Sequence, residues 1–132
     1  MIDYSNEIFN AVSGDLRATF ADIKVVGEYV ATPTAFPTVT IDEIQNYPVN
    51  LDTAKYNKYA HVAYRVQVFS NRRTGKRSEA RKIYSHLDEK LQEMGFIAIS
   101  YSTTPAIYNS EIYCITATYQ AVIDRNGVVY RG

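Results

Sequence analysis

The sequence predicts an α+β fold, a two-layer sandwich in which two helices cover one face of a mainly antiparallel sheet of four or five strands. Three observations carry this expectation. Two segments repeat apolar residues at helical spacing, several others alternate apolar and polar residues, and clusters of Pro, Asn, Asp and Gly separate them. Alternating strands have one covered face and one that is at least partly wet, and two amphipathic helices suffice to cover such a sheet on one side. A length of 132 residues fits one domain, 1–132. The elements follow in the order helix, three strands, helix, two or three strands.

The first helix is expected over Ile2 to Phe20, because Ile8, Phe9, Val12, Leu16 and Phe20 gather on one side of a 3.6-residue repeat. Asp3 or Ser5 can cap its start, and Gly14 weakens its middle. Lys24 to Val30 follows as a short β-rich piece, and the two prolines between Thr32 and Pro37 make that stretch a loop. Thr38 to Ile44 reads as the second strand, with Val39 and Ile41 on one side and Thr38, Thr40 and Asp42 on the other. Tyr47 to Lys58 is polar, carries Pro48, and reads as a long excursion.

Tyr59 to Phe69 is the clearest strand. Ala60, Val62, Tyr64, Val66 and Val68 define its buried face, while His61, Ala63, Arg65 and Gln67 define a wetter one. A polar turn from Ser70 to Gly75 leads into a second helix from Lys76 to Met94, whose stripe is Ala80, Ile83, Tyr84, Leu87, Leu91 and Met94. Gly95 is placed to cap its end. Phe96 to Ser102 continues as a strand, and a turn is expected around Thr104-Pro105. The last long strand spans Glu111 to Ile123, with Tyr113, Ile115, Ala117, Tyr119, Ala121 and Ile123 inward, and Cys114, Thr116, Thr118 and Gln120 outward. Asn126-Gly127 then favours a hairpin back into Val128 to Tyr130.

Composition narrows the chemistry. Fourteen basic residues balance fourteen acidic ones, which argues against a dedicated DNA-coating protein and leaves self-association unopposed by net charge. No window approaches the run of about 20 apolar residues that spans a bilayer, and no signal-peptide pattern opens the chain. With a single cysteine, Cys114, folding in a reducing cytoplasm and no membrane partner are expected. Twelve tyrosines and no tryptophan suit strand packing and also surfaces that meet other proteins.

No catalytic, cofactor or metal residues are assigned. The two histidines, His61 and His86, and Cys114 lack the paired spacing of a zinc site. Cys114 has no basic neighbour in sequence to activate it, and a His61–Cys114 pair would lack an orienting third group. Gly75-Lys76 resembles part of a phosphate loop, but Ser70 stands where its first glycine belongs and Arg77 where a magnesium-binding hydroxyl is required.

The segment holding that dipeptide carries the strongest charge signal. Arg72, Arg73, Lys76, Arg77, Arg81 and Lys82 place six cations in eleven residues, several at a helix N-terminus where the macrodipole disfavours them by a few tenths of a kcal/mol each. Asp88, Glu89 and Glu93 lie toward the other end. Three explanations compete: a solvated turn, pairing with acidic groups on a neighbouring copy, such as those around Asp42 and Glu43, and contact with a nucleic-acid backbone that is not read for sequence. Arg72, Arg73, Lys76 and Arg77 are therefore the candidate subunit or DNA-channel contacts. A nucleic-acid-backbone-binding module using residues 72–82 is the alternative function.

Several short stretches together resemble a known family. Tyr64-Arg65-Val66-Gln67-Val68-Phe69-Ser70-Asn71, Gly75-Lys76-Arg77, Ala80-Arg81-Lys82-Ile83 and Met94-Gly95-Phe96 are similar to the small neck and tail-completion proteins of long-tailed bacteriophages and prophages. The resemblance implies a structural virion protein, a tail terminator or head-to-tail joining component that is made in the host cytoplasm and assembles as a ring, commonly of six. Its implied partners are other copies of itself, tail-tube and head-connector proteins, and DNA passing through the channel. The loops Thr32 to Pro37 and Tyr47 to Lys58 would then reach neighbours or the ring axis.

Overall fold

Ile8, Val12 and Leu16 recur every four residues and are fully buried along one side of α1 (Ser5–Thr19). Phe9 and Phe20 pack beside them. In the computed structural model, residues 4–28, 35–49, 59–71, 75–106, 109–124 and 129–130 are described. Tyr4 occupies the cap position of α1 without a side-chain hydrogen bond, so Ser5 lies inside the helix instead of capping it, and Asp3 falls outside the described residues. Gly14 does not interrupt the helix, because it sits on the exposed side, where only its modest intrinsic cost is felt.

The sheet is built from β1 (Lys24–Val26), β2 (Thr38–Val49), β3 (Tyr59–Ser70), β4 (Ile97–Ala106) and β5 (Asn109–Asp124) in the spatial order β1-β2-β3-β5-β4. The short β6 (Val129–Tyr130) pairs antiparallel with Val122 and Ile123 of β5, so the chain returns as expected, while the Asn126-Gly127 turn itself lies outside the described residues. β1 pairs with β2 in parallel, and all other pairs are antiparallel. β3 and β5 are central and run side by side without a register break from Tyr59↔Asp124 to Ser70↔Tyr113.

α2 (Lys76–Glu93) lies over β3 and β5, and α1 lies beside it toward β2, so both helices share one face of the sheet. Ala80, Ile83, Leu87 and Leu91 of α2 meet Val62, Val66, Ile115, Ala117 and their neighbours in one apolar core. Each large aliphatic side chain buried this way contributes about 1.5–3 kcal/mol. α2 ends in a Schellman motif. Gly95 at φ 94° donates to the Gln92 carbonyl at 2.9 Å, and Phe96 donates to that of Leu91 at 3.0 Å. Phe96 and Leu91 are both buried, so the cap also turns the chain into β4.

Four sequence expectations need correction. β1 ends at Val26, and residues 29 and 30 of the expected strand lie outside the described residues. β2 runs on to Val49, so Tyr47 to Val49 belong to a strand; residues 50–58 of the expected excursion lie outside the described residues. β4 continues through Thr104-Pro105 to Ala106, where a turn was expected. Both prolines are tolerated for one reason: Pro48 and Pro105 lie on stretches with no strand on their outer side, and an edge position spares a missing backbone donor. Finally, the wetter face of β3 is less wet than alternation implies, since Ala63, Gln67 and Phe69 are buried. Phe69 joins Ile112 and Cys114 in a second small cluster, covered by Phe36 beside the cis Phe36–Pro37 peptide bond.

Candidate assembly surface

The residues that the sequence offered for chemistry do not converge. His61 pairs across the sheet with Val122, and Cys114 pairs with Phe69. The eight residues from His61 to Phe69, at about 3.3 Å each, hold the two side chains roughly 26 Å apart on the same face. The His61 ring stacks on Tyr47 at 4.7 Å between centroids, and its Nε2 lies 3.1 Å from Gln120 Oε1. Its Nδ1 is buried with no hydrogen-bond partner among the described residues. The Cys114 thiol is buried, lies 3.6 Å from Thr116 Oγ1, and has its pKa pushed up by loss of water. That is the environment of an inert structural cysteine.

His86 lies in α2 away from the apolar stripe, as its position predicts, and it has a structural task. Its Nε2 is 2.8 Å from Asp15 Oδ2 and 3.1 Å from Thr19 Oγ1, and its ring meets Phe20 edge-on. It ties the C-terminal end of α1 to the middle of α2. Among the described residues no three His, Cys, Asp or Glu side chains form a metal-sized group, and no described helix is long and apolar enough to cross a membrane.

The acidic end of α2 is used for docking the helix. Asp88 Oδ1 accepts the hydroxyl hydrogen of Tyr119 at 2.5 Å, and Asp88 Oδ2 accepts from Gln92 at 2.8 Å. Because the Tyr119 hydrogen is committed to Asp88, Tyr84 donates to the Tyr119 oxygen across 2.6 Å. Burial, followed by donation to Asp88, raises the Tyr119 pKa far above its ordinary value. Burial also raises that of Tyr84. Ser70 similarly donates to Glu79 at 2.7 Å, fastening the start of α2 to the end of β3.

The basic cluster is only partly within view. Arg72 and Arg73 lie outside the described residues, Lys76 opens α2 with its side chain undescribed, and Arg77, Arg81 and Lys82 are exposed on that helix. The acidic residues suggested as their partners on a neighbouring copy are engaged within their own chain. Asp42 takes a two-pronged contact from Arg65, at 2.9 and 3.3 Å, and Glu43 Oε1 accepts from Tyr64 and Asn46.

The outer strands carry a feature the sequence reading did not single out. Among the described residues the exposed large apolar side chains are Ile44 and Tyr47 on β2 and Ile97, Ile99 and Tyr101 on β4. Each of these strands has one extra residue at a β-bulge, Ile44 between Glu43 and Gln45, and Ile99 between Ala98 and Ser100. The bulge reverses which face the following residues point to. It turns Tyr47 toward His61 on the open face, and Tyr101 toward Tyr84 on the helix face, 5.1 Å away. A signal was present in the sequence: Ile97 to Ala106 contains no charged residue, unusual for a strand that ends up at a sheet edge.

Comparison with known proteins shows the family and the fold. No match is found among curated proteins. Among solved structures, a chain from the virion of a native gene transfer agent particle shares the fold with a TM-score of 0.58, at 11% identity over 91% of each chain. The bacteriophage SPP1 gp17 protein aligns over 86% of this chain and 89% of its own, at 18% identity and a TM-score of 0.40. The family described as tail completion protein gp17 matches residues 7–124. The chain therefore belongs to the gp17 family of phage tail completion proteins and is a structural component of the virion.

Proposed function

We propose that this protein completes the tail as a ring of identical subunits, commonly six, seated between the tail tube and the head connector. It would act by docking, with no chemistry of its own. The observation that carries this reading is how the exposed apolar side chains are distributed. The helices close one face of the sheet, whereas Ile44 and Tyr47 on the stretch of β2 beyond β1, and Ile97, Ile99 and Tyr101 on the edge strand β4, remain exposed. Large apolar side chains gathered in this way mark protein contacts. Within such a ring, Arg72, Arg73, Lys76 and Arg77 would face either the next subunit or the DNA channel. Light scattering and negative-stain microscopy, with and without tail-tube protein, test the proposal. Annular particles or capped tube ends are expected, and a strict monomer that never associates with tail or connector components overturns it.

One observation favours a second reading, contact with passing nucleic acid. Arg77, Arg81 and Lys82 are all exposed on the same helix, and backbone contact needs only such a positive surface. Binding would fall steeply with salt and weaken in Arg72→Ala, Arg73→Ala and Arg77→Ala variants. No binding at low salt would dismiss it.

A further inference from the structure

The two lateral edges of the sheet match each other residue level by residue level. Glu43, Tyr64, Tyr119 and Ala98 form one row across β2, β3, β5 and β4. The bulge isoleucines sit next to the two ends of that row, Ile44 after Glu43 and Ile99 after Ala98, so they lie at nearly the same height on opposite sides of the molecule. β1 covers β2 only at Thr38 to Thr40. Following the register across the sheet, those three residues are level with Thr104, Thr103 and Ser102 of β4, a hydroxyl-bearing stretch. Ile41 to Gln45, which β1 leaves uncovered, are level with Tyr101 to Ile97, where β4 carries its three exposed apolar side chains.

We propose that β4 of one copy pairs edge to edge with the uncovered stretch of β2, residues 41–47, of the next copy. This deepens the ring reading and rests on it. Strand directions alternate from β2 through β3 and β5 to β4, so β4 runs antiparallel to β2. A neighbour related by rotation about an axis along the strands therefore presents its β2 antiparallel to β4, the more stable ladder geometry. The contact is head-to-tail, since two different edges meet. Level bulges allow it to repeat without a shift along the strands, and that condition separates a closed ring from an open helical filament.

The charges that normally guard a sheet edge do not oppose this pairing. β4 has none, and Asp42 and Glu43 of β2 are turned to Arg65, Tyr64 and Asn46 of their own chain. Pro48 bounds the β2 stretch, and Pro105 lies toward the far end of β4. A net charge of zero leaves copies of the chain without mutual repulsion.

A head-to-tail contact can be tested by complementation. Ile99→Lys spoils the β4 edge and leaves β2 intact; Ile44→Lys does the reverse. With folding checked by circular dichroism, each variant alone should lose assembly, in solution at high concentration and on tail tubes, by at least ten-fold. An equimolar mixture should form a 1:1 dimer that grows no further. In a second arm, Ile44→Cys and Ile99→Cys are combined in a Cys114→Ala chain, and a short bismaleimide should produce a ladder of covalent oligomers that neither single cysteine produces. Wild-type rings that persist in both lysine variants overturn the edge pairing and leave the ring reading standing. Lysine variants that each lose assembly but do not complement overturn the head-to-tail arrangement. A wild-type chain that stays monomeric alone and on tail tubes removes both.

Discussion

Alternate residues of the same strands build the two faces of the sheet, and the faces end up in different physical states. On the helix side of β3, Ala60, Val62, Tyr64, Val66 and Val68 are all at most 3% exposed, under α1 and α2. On the other side the same strand passes from His61, half-buried beneath Tyr47, through Arg65 paired with Asp42, to Phe69 in a small apolar cluster. The first face is closed by this chain alone. The second is a graded surface, polar in the middle and apolar at one end, and bordered by strands whose isoleucines lie outside. The contrast teaches that folding stability resides on the helix side and that assembly properties reside on the open face and the edges. Substitutions should therefore separate the two.

The largest effect is expected in the core. Leu87→Ala removes a fully buried side chain from the α2 stripe and should cost about 2–5 kcal/mol in urea unfolding. If it costs less than a surface substitution, the helix-side core is not the main source of stability.

An intermediate effect is expected where α2 is tied to β5. Tyr119→Phe removes the donor to Asp88 and the acceptor for Tyr84, and should cost about 1–3 kcal/mol because a half-buried carboxylate loses one of its hydrogen-bond donors. This site also gives the fold an alkaline limit. Both phenols hold their protons more tightly folded than unfolded. Their contribution is fully present below the unfolded value of about 10 and is lost as the pH rises beyond it toward the raised folded values. Absorbance of tyrosinate should therefore rise in two stages, with Tyr84 and Tyr119 ionising only as the protein unfolds. Tyr119→Phe should lessen the alkaline loss of stability, and an unchanged alkaline midpoint would count against the Tyr84–Tyr119–Asp88 chain.

The smallest effect is expected on the open face. Arg65→Ala breaks a partly exposed ion pair with Asp42 and should change stability by about 0.2–1 kcal/mol, with the change shrinking at high salt. A loss as large as that of Leu87→Ala would mean that the open face also holds the fold together.

Much of this architecture was legible from local patterns. The α1 and α2 stripes, the inward residues of β3 and β5, the Gly95 cap and the closing hairpin all depend on residues within one or two turns or strand repeats of each other. The edges were not legible in the same way. Pro48 and Pro105 read as breaks because proline interrupts a central strand, and only strand order reveals that both lie where no ladder bond is lost on the outer side. Plain alternation would put Ile97, Ile99 and Tyr101 on one face of a strand; the bulge at Ile99 separates them. The basic segment was the most visible charge feature in the sequence, yet the acidic residues suggested for it, Asp42 and Glu43, bond within their own chain.

The amino-acid sequence by itself determined which segments are helices and strands and which side of each is apolar, because periodicity is set by neighbours along the chain. Only the tertiary structure decided that β4 and the stretch of β2 beyond β1 border the sheet with their bulges level and their isoleucines outside. Edge position and register depend on which distant strands pair, and no local repeat encodes that choice.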